Sequence, residues 1–140
     1  MLESIRRLHK DHIDFVILFR ELNDAVECDD ASILQACWTK FESRLSTHMA
    51  AEERYLLPGL ESRHPVEAER LRGDHGRFRS LLAELGVRAD LHLLRKTASD
   101  ELLQLLESHA AWEDKTIYKW AEQELDADTH FSILRALSGT

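Results

Sequence analysis

Two stretches of this chain, DHIDFVILFREL at 11–22 and DHGRFRSLLAEL at 74–85, agree at six positions: Asp11/Asp74, His12/His75, Phe15/Phe78, Leu18/Leu81, Glu21/Glu84 and Leu22/Leu85. Their apolar residues recur at helical spacing, and in both a histidine takes a place on the apolar stripe one turn before a phenylalanine. The duplication reaches into the following segments, where HMAAE at 48–52 answers HAAWE at 109–113. His12 and His48 are 36 residues apart, and His75 and His109 are 34 apart. Each half therefore reads H…HxxxE, and the chain must fold so that two copies of one pattern are satisfied together.

Helical stripes run the length of the sequence. Leu2, Ile5, Leu8, Phe15, Phe19 and Leu22 predict a first helix over about 2–26. Glu27-Cys28-Asp29-Asp30 offers caps for a second, from 31 to about 57 or beyond, with Pro58-Gly59 as its kink or end. A third helix starts near Pro65 and is expected to stop at Gly86; a fourth, capped by Asp90, carries Leu94, Ala98, Leu102, Leu105, His109, Glu113 and Ile117 towards about 124. A short helix over about 127–137 is expected to cover one end. Five Gly and two Pro in 140 residues leave few punctuation points, which favours long helices. Short loops reverse the chain and keep sequence neighbours adjacent. The expected fold is all-α: one domain spanning 1–140, an antiparallel up-down-up-down four-helix bundle with a short C-terminal helix.

The spacing also sets depth. With about 1.5 Å of rise per residue, His12 lies about 20 Å and His48 about 25 Å from the turn that joins the first two helices. Glu52 and His75 lie about 18 Å and about 16 Å from the next junction, and His75 and His109 match across the third. Residues four apart share a helix face, so His48 points with Glu52 and His109 with Glu113. Six ionisable side chains thus meet in one interior layer. A lone histidine on an apolar stripe is more often a satisfied core residue than a ligand, and an isolated HxxxE is a common hydrogen-bonded pair. Six arranged as a duplicated set are different, because buried carboxylates cost several kcal/mol or more unless compensated. A metal compensates them: four neutral imidazoles and two carboxylates suit Fe, Mn or Zn. Carboxylates shared between two cations give each ion four protein donors, with room for a bridging oxygen and an exchangeable position.

On His12, His48-Met-Ala-Ala-Glu52, His75 and His109-Ala-Ala-Trp-Glu113, over about residues 5–125, the chain resembles the hemerythrin-like family of HHE cation-binding domains. The ferritin-like alternative uses ExxH, and Glu61-Ser-Arg-His64 is the single, unpaired instance, near a helix end. The resemblance implies a non-haem di-iron centre, two iron ions with a bridging oxygen rather than Mn or Zn, with Glu52 and Glu113 as bridges and the four histidines as terminal ligands. It also implies dioxygen, nitric oxide or peroxide as the small ligand. Oxygen-carrying hemerythrins have a fifth histidine four residues from the third-helix ligand; here that place holds Arg79, with Leu71 at the other i±4 neighbour. Tyr55, two turns from His48 on the same face, is a candidate for the position left over, as an extra ligand or a hydrogen-bonding neighbour, against the alternative of a core tyrosine.

Other residues carry weaker expectations. His9 has Arg72 as its counterpart in the second half, which argues against a primary ligand role. Phe15 and Phe78 either wall the site or simply pack. Trp112 packs between helices or shapes a pocket, and Asp11 and Asp74 either orient imidazoles or are solvated. His64, His92 and His130 fall at loops or helix ends. Cys28 and Cys37 form neither a disulfide framework nor a CxxC site, and read as small buried or inert thiols.

A formal charge of −8 with no basic stripe disfavours nucleic acid and anionic lipid as partners. The N-terminus lacks a signal-peptide pattern and no long apolar run occurs, which predicts a cytoplasmic protein. Three functions compete: binding or sensing of a small ligand, a metal-stabilised module that reports iron or oxygen, and removal of peroxide or nitric oxide by turnover. A plain helical interaction domain without metal is the remaining alternative.

Overall fold

The computed structural model describes residues 2–28, 30–90 and 96–138, with residues 90 and 96–99 described by their backbone alone. Among the described residues seven helical segments follow one another: α1 Glu3–Cys28, α2 Ala31–Tyr55, α3 Leu57–Arg63, α4 Pro65–Asp90, α5 Lys96–Lys115, α6 Ile117–Glu124 and α7 Ala127–Ser138. No strand occurs among the described residues. The long helices α1, α2, α4 and α5 form a closed ring in which each packs on its two neighbours, α1 meeting both α2 and α5. This is the all-α bundle that the stripes predict. No helix among the described residues is long and apolar enough to cross a membrane.

Caps explain two of the starts. Asp30 Oδ1 accepts from the backbone N–H groups of Ser32 and Ile33 at 3.0 and 3.2 Å, and Asp126 Oδ1 accepts from Thr129 N–H at 2.7 Å. Such a cap stabilises a helix by about 1 kcal/mol. The expected cap at Asp90, together with His92 and Leu94, lies outside the described side chains.

Three boundaries differ from those expected. The second helix ends at Tyr55, and the break falls at Leu56 rather than at Pro58-Gly59; Pro58 instead sits in the first turn of α3, where its missing N–H costs nothing. Gly59 permits a close approach, since a Cβ there would stand 2.8 Å from Trp120 Cη2. The third helix does not stop at Gly86 but continues to Asp90. The Trp38 indole packs against Gly86, 3.4 Å from where a Cβ would be. The fourth helix does not run unbroken to 124: it divides at Thr116, whose Oγ1–H donates to Trp112 O at 2.6 Å while its N–H is shared between Trp112 O and Glu113 O. The Thr116 hydroxyl caps one carbonyl from within the helix, a competition with the backbone that bends helices.

Two apolar clusters flank the polar layer. Phe15, Phe19, Trp38, Phe41, Phe78 and Leu85 fill one side. Ile5, Leu8, Leu60, Leu71, Ile117 and Leu137 fill the other, which α7 closes by packing on α1 and α2. Each fully buried Leu or Phe contributes roughly 1.5–3 kcal/mol, so these clusters hold the helices together and the polar layer is carried between them. His130, in the first turn of α7, is buried: its Nε2–H donates to Ala121 O at 3.0 Å and its Nδ1 accepts from the Ser4 hydroxyl at 2.6 Å. It pins α7 to α6 and α1. Cys28 is exposed at the end of α1 rather than buried, and Cys37 is half-buried.

Candidate metal centre

The histidine faces of the four ring helices converge midway along the bundle. His48, Glu52, His75, His109 and Glu113 are buried, and the His12 side chain is 9% exposed. The Nε2 atom of each imidazole faces one of the two carboxylates. His12 Nε2 is 3.0 Å from Glu113 Oε1, His48 Nε2 is 3.5 Å from Glu52 Oε2, His75 Nε2 is 3.1 Å from Glu52 Oε1, and His109 Nε2 is 3.1 Å from Glu113 Oε1. Two groups of donors result, His12–His48–Glu52–Glu113 and Glu52–His75–His109–Glu113, each with its atoms within 4.8 Å of one another. They share both carboxylates. All six residues singled out by the repeat are brought together.

The outward ring nitrogens face acids, and these follow a cyclic rule. His48 Nδ1–H donates to Asp11 of α1 at 2.9 Å, His75 Nδ1–H to Glu53 of α2 at 2.8 Å, and His109 Nδ1–H to Asp74 of α4 at 2.7 Å. Asp114 of α5 faces His12 Nδ1 at 3.7 Å, beyond hydrogen-bond reach. Every histidine therefore looks towards a carboxylate on the preceding helix of the ring. An ionised carboxylate only accepts, so Nδ1 of His48, His75 and His109 carries a proton, and an imidazole that gives up its Nε2 proton directs that lone pair inward. Asp11 and Asp74 are therefore bonded to imidazoles, Asp11 buried and Asp74 partly exposed. Glu53 and Asp114 had not been anticipated: each follows a central glutamate, 100° off the apolar stripe, where a charge reads as solvated.

Tyr55 is not part of this layer. It is half-buried against the α7 side, beside Arg54, Ser132 and Arg135. Tyr118 takes the place foreseen for it. Its buried hydroxyl donates to Glu52 Oε2 at 2.9 Å and lies 3.0 Å from His12 Nε2, 3.3 Å from His48 Nε2 and 3.4 Å from Glu113 Oε1. Its ring stacks on that of His12 at 5.4 Å, 13° from parallel. In an unbroken helix Tyr118 would stand nine residues after His109, on the opposite face. The break at Thr116 turns it inward, and neither Gly nor Pro marks that break.

Charge is balanced strongly here. Burial opposes a charged His48, but Glu52 and the bond to Asp11 overcome it and push the pKa up to about 10. His109 rises to about 9 against its burial, chiefly through Glu113. Burial would raise Glu52, yet the charge of His48 and hydrogen bonds hold it well below the ordinary carboxylate range. Burial, with the charges of Glu113 and Glu52, pushes Tyr118 far above the ordinary phenol value.

Phe15 lies edge-on to His48 and Phe78 edge-on to His109, both at 5.2 Å, so the repeated phenylalanines wall the layer. A cavity of about 10 Å³ remains between these rings, Leu45, Met49 and Leu106. That is about the room one water needs. Trp112 is half-buried, 5.7 Å from His109, with Arg70 over its ring at 4.3 Å. His9 is bound to Asp114 at 3.1 Å, and exposed His64 lies edge-on to Trp120.

The donor set suits cations. Among the described residues, Glu113 Oε2 and His109 Nε2, both in the central groups, are buried without a hydrogen-bond partner. Orphaned polar atoms at such depth cost about 1–3 kcal/mol each, and a cation satisfies both. The family model of the hemerythrin HHE cation binding domain matches residues 2–121 of the chain. No curated protein and no solved structure matches it.

Proposed function

Because the chain belongs to the hemerythrin HHE cation-binding domain family, a metal-binding family, we propose that it is a non-haem di-iron protein that binds or senses a small ligand, dioxygen, nitric oxide or peroxide. His12 and His48 hold one ion, His75 and His109 the other, and Glu52 and Glu113 are shared. The observation that carries this reading is the pair of four-donor groups with both carboxylates in common. Iron in such a set would supply one-electron redox at each ion and an exchangeable position for the small ligand; Zn would supply the second without the first.

The chain's own residues favour holding over turning over. Phe15, Phe78, Leu45 and Leu106 exclude bulk water, and the cavity admits nothing larger than a few atoms. The acids on Nδ1 keep the imidazoles oriented and basic. Metal quantification of protein purified without chelator, with the visible spectrum before and after anaerobic reduction and reoxidation, is the test. Two irons per chain and a spectrum that changes reversibly with ligand support the reading; stoichiometric zinc with no redox response overturns it.

A second reading, removal of peroxide or nitric oxide, draws on Tyr118, whose hydroxyl can hold or deliver a proton among four of the donors. Sustained consumption of added peroxide or nitric oxide by the reduced protein, lost in Tyr118→Phe, would put it first. The third reading, a metal-stabilised reporter of iron or oxygen, requires folding and metal occupancy to fall together as pH drops. Thermal unfolding that is unchanged by a chelator would remove it.

A further inference from the structure

The ring of orienting acids is complete at three histidines and broken at the fourth. Around His75 it is sealed: Glu53 accepts from Nδ1 at 2.8 Å and is itself clamped by both Arg79 nitrogens at 2.7 Å. The matching place on α1 holds Val16, and among the described residues the ion pairs of Asp114 are with His9 and His12. Asp114 leans instead to His9 Nδ1 at 3.1 Å, and His12 Nδ1, on a side chain 9% exposed, is left buried without a hydrogen-bond partner among the described residues. His9, His12 and Asp114 then form a third group whose donor atoms all lie within 4.8 Å of one another. Unlike the central layer, it is reachable. His9 is 42% and Asp114 33% exposed, and a groove of about 180 Å³ lined by Ile5, His9, Asp114, Tyr118, Lys119 and Glu122 opens over them. Lys119 and Glu122 contribute one charge of each sign, so the balance of the groove rests on Asp114 and the two imidazoles that face it.

We propose that His9, His12 Nδ1 and Asp114 form an outer divalent-cation site, a loading position from which an ion passes to the buried centre by way of His12. Two imidazoles and one carboxylate are a donor set for Fe, Mn or Zn, and the open groove leaves positions for water. A neutral imidazole has one lone pair, so His12 serves the outer ion or an inner one, not both. The outer site thus exists before the centre is filled and is dismantled when His12 turns its lone pair inward. The hand-over rests on the di-iron reading above; the outer site itself does not.

The test uses the full chain stripped with chelator, Zn²⁺ as the probe, and histidine ring-nitrogen NMR with a competing zinc indicator. In His48→Gln/His109→Gln, which leaves the outer donors intact, a single Zn²⁺ is expected, shifting Nδ1 of His9 and His12. Adding His9→Gln should abolish that binding. In an otherwise unaltered chain, His9→Gln, a change at a partly exposed residue, should slow Zn²⁺ uptake and leave the final content the same. Uptake as fast in His9→Gln as in the parent, or Zn²⁺ bound to the double variant without shifting His9, overturns the proposal. A parent chain that holds zinc solely through His9 would instead sink the buried centre and leave the outer site standing.

Discussion

The two halves of the metal layer are written by one sequence pattern and finished differently. Around His75 the acid, the arginine behind it and the imidazole interlock; around His12 the acid is shared with His9 and faces a groove. The central carboxylates differ too. Glu52 has both oxygens engaged, by His75 and by Tyr118, whereas Glu113 keeps one buried oxygen bare. Duplication fixes which residue types meet, and single neighbours off the stripe, Arg79 against Val16 and His9 against Arg72, decide which side is closed.

The largest effect that can break this comparison is loss of a shared carboxylate. Glu52→Ala should destabilise the metal-free protein by about 3–5 kcal/mol, since it strands the buried charge of His48. Glu113→Ala should cost less, and either should abolish binding at the centre. Denaturant unfolding with metal analysis checks both, and equal costs would erase the distinction between the two acids.

Titration of the metal-free protein should separate the halves next. His109 and His48 hold their protons to about 9 and about 10 in the folded state, against an ordinary 6.5. The stability they contribute is complete below 6.5 and is lost as pH rises through about 9 on the His109 side and then about 10 on the His48 side. Glu52, held below its ordinary 4.5, stabilises above that value and loses its contribution as pH falls. Loaded protein should behave oppositely on the alkaline side, because ligation needs unprotonated imidazole and acid expels the ion. Unfolding temperature against pH, with and without metal, reads both signs.

Tyr118→Phe should cost about 1–3 kcal/mol in metal-free protein, the cost of leaving Glu52 Oε2 without its donor, while Tyr55→Phe should be close to silent. Similar losses for the two would return Tyr55 to the site. Asp11→Asn and Asp74→Asn should each weaken metal affinity by roughly 10–100-fold. The larger loss is expected at Asp11, which is buried and also bonded by Arg7 and Arg44. Competition against a chelator ranks them. Smallest is Arg79→Ala, an exposed pair worth at most about 1 kcal/mol, which should nonetheless make the His75 side resemble the His12 side in the solvent exchange of its Nδ1 proton.

The bundle and the meeting of the six donors were legible because both depend on one quantity, the 3.6-residue period, which His12, His48, His75 and His109 all obey. What was not legible depends on departures from that period. Tyr118 enters through a break at Thr116, made by a hydroxyl bonding back to Trp112 and carrying no breaker residue. Glu53 and Asp114 stand off the stripe, and their role appears once it is known which helix lies beside which. Gly86 suggests an end from its identity alone, whereas α4 runs on past it with the Trp38 ring packed against it.

The cyclic order of the acids bears on descent. Glu53 of the first hairpin serves His75 of the second, and Asp114 of the second faces His12 of the first, so neither hairpin is self-sufficient. An ancestor of half this length would have been complete solely as a twofold pair. Fusing two such hairpins head to tail keeps the circuit intact and lets each copy drift apart from its twin, with one becoming a wall and the other a doorway.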